Sequence, residues 1–359
     1  MVDWDLAVAT ARRLSKPGPV VSAEEARSVV TDLKNFAAEA TGPVRSYTGL
    51  DGSAAVAPVV VVDRGGWAQA NADGMREIIT PLTDKLRARK TSSGLLDQVG
   101  PKVTGVETGA LLAFLAGKVL GQFDPFWSDG SSSEGDVAGR LLLVAPNVVH
   151  VERELEVDPR DFRMWVCLHE ETHRVQFTAV PWLRDHLRAE IAAFIAATEV
   201  DPSVLLSRLR VIMRSVIESA QSGREGPSVL DLVQSPEQKA IIDRVTAAMS
   251  LLEGHADVVM DGVGPEVVPS VATIREKFQR RRAGANSLDR TVRRLLGIEA
   301  KMRQYRDGAK FVNRVIDKVG MGGFNRVWES AETLPALDEI TDPVAWMRRV
   351  HASPSASSP

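Results

Sequence analysis

A single cysteine, Cys167, stands in a chain of 359 residues. That excludes an internal disulfide framework and any cysteine-rich zinc module, so a metal ion would have to be held by histidines and carboxylates, in a reducing compartment. Tyrosine is almost as scarce, at two residues, and aromatics make up only 5% of the chain. No apolar run reaches the roughly 20 residues that span a bilayer. The most apolar stretch, Gly109 to Phe123 (GALLAFLAGKVLGQF), is interrupted by Lys118 and reads as a buried core helix capped by Phe126 and Trp127. The opening MVDWDLAVATARRLSKPGP lacks the charged and apolar regions of a signal peptide, so a cytoplasmic location is expected. Positive charge is not in excess either. A formal net charge of −3 gives no general affinity for nucleic acid or anionic membrane, and neither is expected as a partner.

What is present is chiefly helical periodicity. Apolar residues recur at helical spacing over 3–14, 23–40, 73–89, 159–179, 181–198, 202–221, 236–261, 270–283 and 287–319. Two short runs, APVVVVD (57–63) and RLLLVAP (140–146), read instead as strands. The fold class is therefore mainly α with a small β-sheet, an α+β chain. The Gly/Ser/Asp-rich SDGSSSEGD (128–136) is the best boundary. It divides a mostly helical N-terminal lobe (1–135) from a core (136–342), followed by a C-terminal end (343–359) with a small, polar tail.

Within the core, DFRMWVCLHEETHRVQF contains His-Glu-x-x-His. Asp158 followed by Pro159 gives a cap and a proline at the first helical position. Counting from there, Phe162, Trp165, Val166, His169, His173, Gln176 and Phe177 share one stripe, so two imidazoles interrupt a core face. Each buried ring nitrogen left unpaired costs about 1–3 kcal/mol, and a metal ion would satisfy both rings at once. Histidines four apart aim at one point, while Glu170 between them can reach a water without ligating the ion. Glu171 and Thr172 lie elsewhere on the helix. Cys167 points away from the metal face and reads as a small buried hydrophobe. The competing reading is two core histidines bonded to backbone or carboxylate groups.

A catalytic zinc ion needs a third protein ligand. SLLEGHADVVMDG offers Glu253, on the stripe of a helix that begins with a capping box at Ser235 and Gln238. A carboxylate there requires a cation. His255, on the opposite side of that helix, and the group His186, Glu190 and Glu199 are the alternatives. Asp257, one turn beyond Glu253, could accept the outer N–H of His169 or His173 as a supporting partner. Gly254 would admit another backbone at close range.

H-E-x-x-H followed by E-x-x-x-D on a later helix resembles the gluzincin branch of zinc metallopeptidases, with a zincin-like metalloprotease fold. The resemblance implies His169, His173 and Glu253 as zinc ligands and Asp257 behind them. The separation of His173 from Glu253, about 80 residues, exceeds that of thermolysin-like members. PWLRDHL, SLLEGHADVVMDGVG and AKMRQYRDGAKFVNRV also resemble a family of actinobacterial zincin-like hydrolases, some labelled as associated with deazaflavin coenzyme biosynthesis.

The expected reaction is amide hydrolysis of a peptide or protein substrate by zinc-activated water, with Glu170 as base and Tyr305 as oxyanion donor. The run 140–146 could be an edge strand for an extended peptide or an internal strand. REKFQRRR (275–282) reads as a solvated basic face or as a contact for an acidic partner. The rival function is a zincin-derived binding or scaffold protein without useful turnover.

Overall fold

A computed structural model describes residues 2–51, 57–89, 95–128, 139–197, 235–283 and 298–352, with the side chains of 81–100, 282–283 and 298–306 outside the description. The predicted helix at 202–221 lies outside the described residues.

The chain begins with helices α1 (Trp4–Leu14) and α2 (Ala23–Thr48). Ser22 caps α2 by accepting from Glu25 N, and Gly49, at φ 64°, ends it. The predicted end at residue 40 is too early because the buried stripe Val29, Leu33, Ala37, Ala40 continues through Pro43 to Val44 and Thr48. Strand β1 (Val59–Val62) is followed at once by α3 (Arg64–Arg89), capped by Asp63 Oδ1 accepting from Gly66 N at 2.6 Å. The sequence pattern started that helix nine residues later, at 73, because Gly65 and Gly66 read as a turn.

Helix α4 (Leu95–Ala116) and strand β2 (Gly121–Asp124) divide the apolar stretch that reads as one helix in the sequence. Strand β3 (Arg140–Val144) runs straight into α5 (Ala145–Leu155), where Pro146 occupies the first turn rather than merely ending a strand. Then come α6 (Pro159–Ala179), α7 (Pro181–Ala196), α8 (Pro236–Val267), α9 (Val271–Ala283) and α10 (Ile298–Phe324). Two short 3₁₀ turns, α11 (Leu337–Thr341) and α12 (Pro343–His351) complete the described chain.

The three strands are ordered β1-β3-β2, with β1 parallel and β2 antiparallel to β3. β3 is thus internal and β2 is an edge. Period-2 alternation sends Leu141 and Leu143 into a core shared with α2, α6, α8 and α10, and Leu142 and Val144 into a second core with α1, α3 and α4. Each leucine so buried contributes about 1.5–3 kcal/mol. β1 and β2 come from before residue 135 and β3 from after it, so one sheet joins the two predicted lobes.

Glycine sets the closest helix crossing. A Cβ on Gly254 of α8 would lie against the carbonyl carbon of Gly308 in α10, and 2.5 Å from Ala309 N. One on Gly308 would meet Ser250 O. The two backbones touch one residue from Glu253. Among the described residues, no helix is long and apolar enough to cross a membrane.

Candidate metal centre

Helix α6 is buried nearly all round: Phe162, Met164, Val166, Cys167, Leu168 and Val175 are all at most 2% exposed. Asp158 caps it by accepting from Asp161 N at 2.9 Å. Glu171 is taken up by Arg174, which donates to both its oxygens at 2.6 and 2.9 Å and also to Ala57 O. It is a buried structural pair. Cys167 is buried, and its thiol is held far above the usual range, first by burial and then by Glu170.

His169 and His173 bring their Nε2 atoms to 3.2 Å from each other. Glu253 on α8 places Oε2 at 3.7 Å from His169 Nε2 and Oε1 at 3.8 Å from His173 Nε2. Tetrahedral zinc with bonds of about 2.0–2.1 Å separates its ligand atoms by about 3.3–3.4 Å, and the observed spacings lie near this, those to Glu253 being somewhat longer. The donor set, two imidazoles and a carboxylate, also suits zinc. His169 and Glu253 side chains remain 24% and 28% exposed, which leaves one side of the triangle open to a substrate.

The tautomer of His173 follows from its neighbours. Gln176 Nε2 donates to Leu252 O at 3.0 Å, which turns its Oε1 toward His173, where it accepts from Nδ1–H at 2.9 Å. The lone pair of His173 Nε2 therefore faces Glu253. The other Gln176 N–H goes to His255 Nδ1 at 2.9 Å. His255 is fully buried, stacked on Phe324 and edge-on to Trp328, and its pKa is pushed down to about 3 by burial and then by His173. It stays neutral and sits behind the site, not in it. His169 Nδ1–H donates to Met260 Sδ at 3.0 Å.

The partners of the outer ring nitrogens are thus Gln176 and Met260, and Asp257 occupies neither place. Asp257 lies beside Asp261 instead, whose pKa it helps to raise, and its main-chain carbonyl accepts from Arg275. His186 and Glu190 lie away from the triangle: His186 packs edge-on to Trp182, and Glu190 accepts twice from Arg244. Glu199 lies outside the described residues. Tyr305 belongs to α10, with its side chain outside the description.

Glu170 is 6% exposed, and burial, then the charge of Glu253, hold its carboxyl well above the usual carboxylate range. It lies against β2. A Cβ on Gly121 would come within 2.6 Å of Glu170 Cγ and Cδ and 2.8 Å of Oε1, so only glycine leaves room for the carboxyl there. Phe123, two residues on, stacks on Phe177 of α6 at 5.6 Å and fixes the strand to the helix. The edge strand beside the site is therefore β2, and the predicted candidate at 140–146 is its internal neighbour. The basic run on α9 is largely engaged: Arg275 pairs with Asp261, Arg280 with Glu276 and Arg281 with Glu154.

The His-Glu-x-x-His helix and a glutamate from a later helix together form a group that could hold a metal ion. The chain belongs to the zincin-like metallopeptidase family, whose family model matches residues 2–347. It is similar to the solved structure of a "putative hydrolase with a novel fold" from Chloroflexus aurantiacus. The TM-score is 0.69 at 30% identity, over 98% of this chain and 100% of that one. No curated protein matches.

Proposed function

We propose that the chain is a zinc-dependent peptidase in which Glu170 is the general base and then the general acid. The observation that carries this reading is the meeting of His169, His173 and Glu253, with ligand atoms all within 4.8 Å, next to the buried carboxyl of Glu170. Bound zinc supplies a Lewis acid that polarises a carbonyl and activates water near neutral pH. Glu170 takes the proton of the attacking water as the C–O bond forms, holds it in its desolvated niche, and returns it to the leaving amine as the C–N bond breaks. Edge strand β2 offers backbone groups to an extended peptide, in the manner of strand addition. Tyr305, one helical turn before Gly308 on α10, is proposed to donate its hydroxyl to the developing oxyanion. The proposed substrate is a peptide or protein, and the proposed location is the cytoplasm.

The test is zinc per chain by elemental analysis, together with turnover of a peptide library. Wild type is expected to hold one zinc ion, and His169→Ala and Glu253→Ala to lose it. Glu170→Gln is expected to keep zinc while losing turnover by about 100-fold or more. Zinc bound with no peptide cleaved would sink the peptidase reading and favour a binding scaffold. Zinc absent after reconstitution would sink the metal site itself.

A further inference from the structure

The carboxyl ends of the parallel strands β1 and β3 open into a cavity of about 520 Å³ on the side of the sheet away from α6. Two helices start there. α3 follows β1 through Asp63, and α5 follows β3 directly; neither carries an acidic residue in its first turn. Each N-terminus presents the positive end of its dipole, equivalent to about half an elementary charge. Crevices at the carboxyl ends of parallel strands, lined by helix N-termini, are where open α/β sheets take anionic ligands.

The side chains add to this. Arg12 and Lys16 reach the cavity from the end of α1, and Arg64 forms part of its wall. Among the described residues none of the three lies within ion-pair distance of a carboxylate. Most other arginines buried or half-buried in this fold have such a partner, as Arg163 has Glu152 and Arg174 has Glu171. Asp63 is the one carboxylate in the lining, and its Oδ1 is already used by Gly66 N–H.

Arg64 is the more telling residue because it is only 9% exposed. Its Nε donates to Asn147 Oδ1, and its Nη1 to the carbonyls of Lys16 and Pro17. Nη2 has no hydrogen-bond partner among the described residues. These neutral acceptors fix the guanidinium without cancelling its charge, and burial pulls its pKa below the usual value. A buried cation lacking a counter-ion is compensated by an oxyanion bound against it.

We infer that this cavity is a binding site for a phosphate group, free or carried on a small molecule, held by Arg12, Lys16, Arg64 and the N-termini of α3 and α5. It is independent of the metal centre and of the peptidase reading. The cavity falls within the roughly 300–1,000 Å³ range of small-molecule sites, which leaves room for an organic group beyond the phosphate.

Calorimetric titration of the full-length, chelator-treated protein with inorganic phosphate, glucose 6-phosphate and potassium chloride at matched ionic strength tests this. Saturable binding of either phosphate probe, with none of chloride, is expected. The tighter of the two probes identifies the free or the esterified form. Arg12→Ala/Lys16→Ala changes exposed side chains only, so the fold should persist by circular dichroism while affinity falls about tenfold or more. His169→Ala is expected to bind as wild type does. No saturable binding up to about 10 mM would overturn the proposal, as would equal affinity in the double variant, or loss of binding in His169→Ala.

Discussion

At the residue scale, the spacing of His169 and His173 and the stripe they interrupt are legible in the sequence, because four residues of helix aim two rings at one point. The supporting partners are not. Gln176 stands on the same stripe, yet what makes it a partner is the Leu252 carbonyl and His255, 76 and 79 residues away, which orient its amide. Asp257 looked better placed on a helical wheel, but a wheel gives direction along one helix and not the position of the next. Gln176→Leu is expected to weaken zinc binding by about 10–100-fold; competition with a chelating dye reads it. Gly121 is the other residue without a sequence signal, since a glycine between two apolar segments reads only as a break. Gly121→Ala is expected to drive the Glu170 carboxyl from its place. Zinc content should stay near one and kcat should fall by about tenfold or more, given what displacement of a general base by an ångström costs.

At the scale of elements, the helices are largely visible in the sequence and their ends are not. β2 is hidden because Gly117 and Lys118 are too slight a break in an otherwise apolar run to mark where α4 gives way to the strand, and pairing with β3 is what decides it. The start of α3 is hidden by Gly65 and Gly66 in its first turn. C-terminal elements carry a pH dependence that can be measured. Glu339 on α11 is bonded by Arg349 of α12 at 2.8 and 2.7 Å, and this arginine holds its pKa below the usual carboxylate range. A depressed folded pKa contributes stability above the unfolded value of about 4.3, and this is lost as pH falls through the lower folded value. Arg349 also donates to the carbonyls of Glu332 and Leu334, so Arg349→Ala is expected to lower the urea midpoint most at neutral pH and by less, though still measurably, in acid. A variant curve parallel to wild type across that range would refute the pairing.

For the whole molecule, zinc would join α6 to α8, two segments about 80 residues apart, around a core that also includes α2 and one face of the sheet. Because the unfolded chain has no preformed site, zinc is expected to raise the melting temperature and a chelator to lower it. At about 100 times Kd the gain is about 2.7 kcal/mol, and His169→Ala should abolish the difference. The crossing of α8 with α10 bears on the same geometry through sequence tolerance. Between Gly254 and Gly308 no substitution can be offset by its partner, since the partner is already the smallest residue and backbone is what stands in the way. A library randomised at either position and sorted for folded, zinc-loaded protein should return glycine alone. One randomised at Gly42, inside α2 with nothing within 4 Å of a new Cβ, should return many residues, with alanine prominent among them.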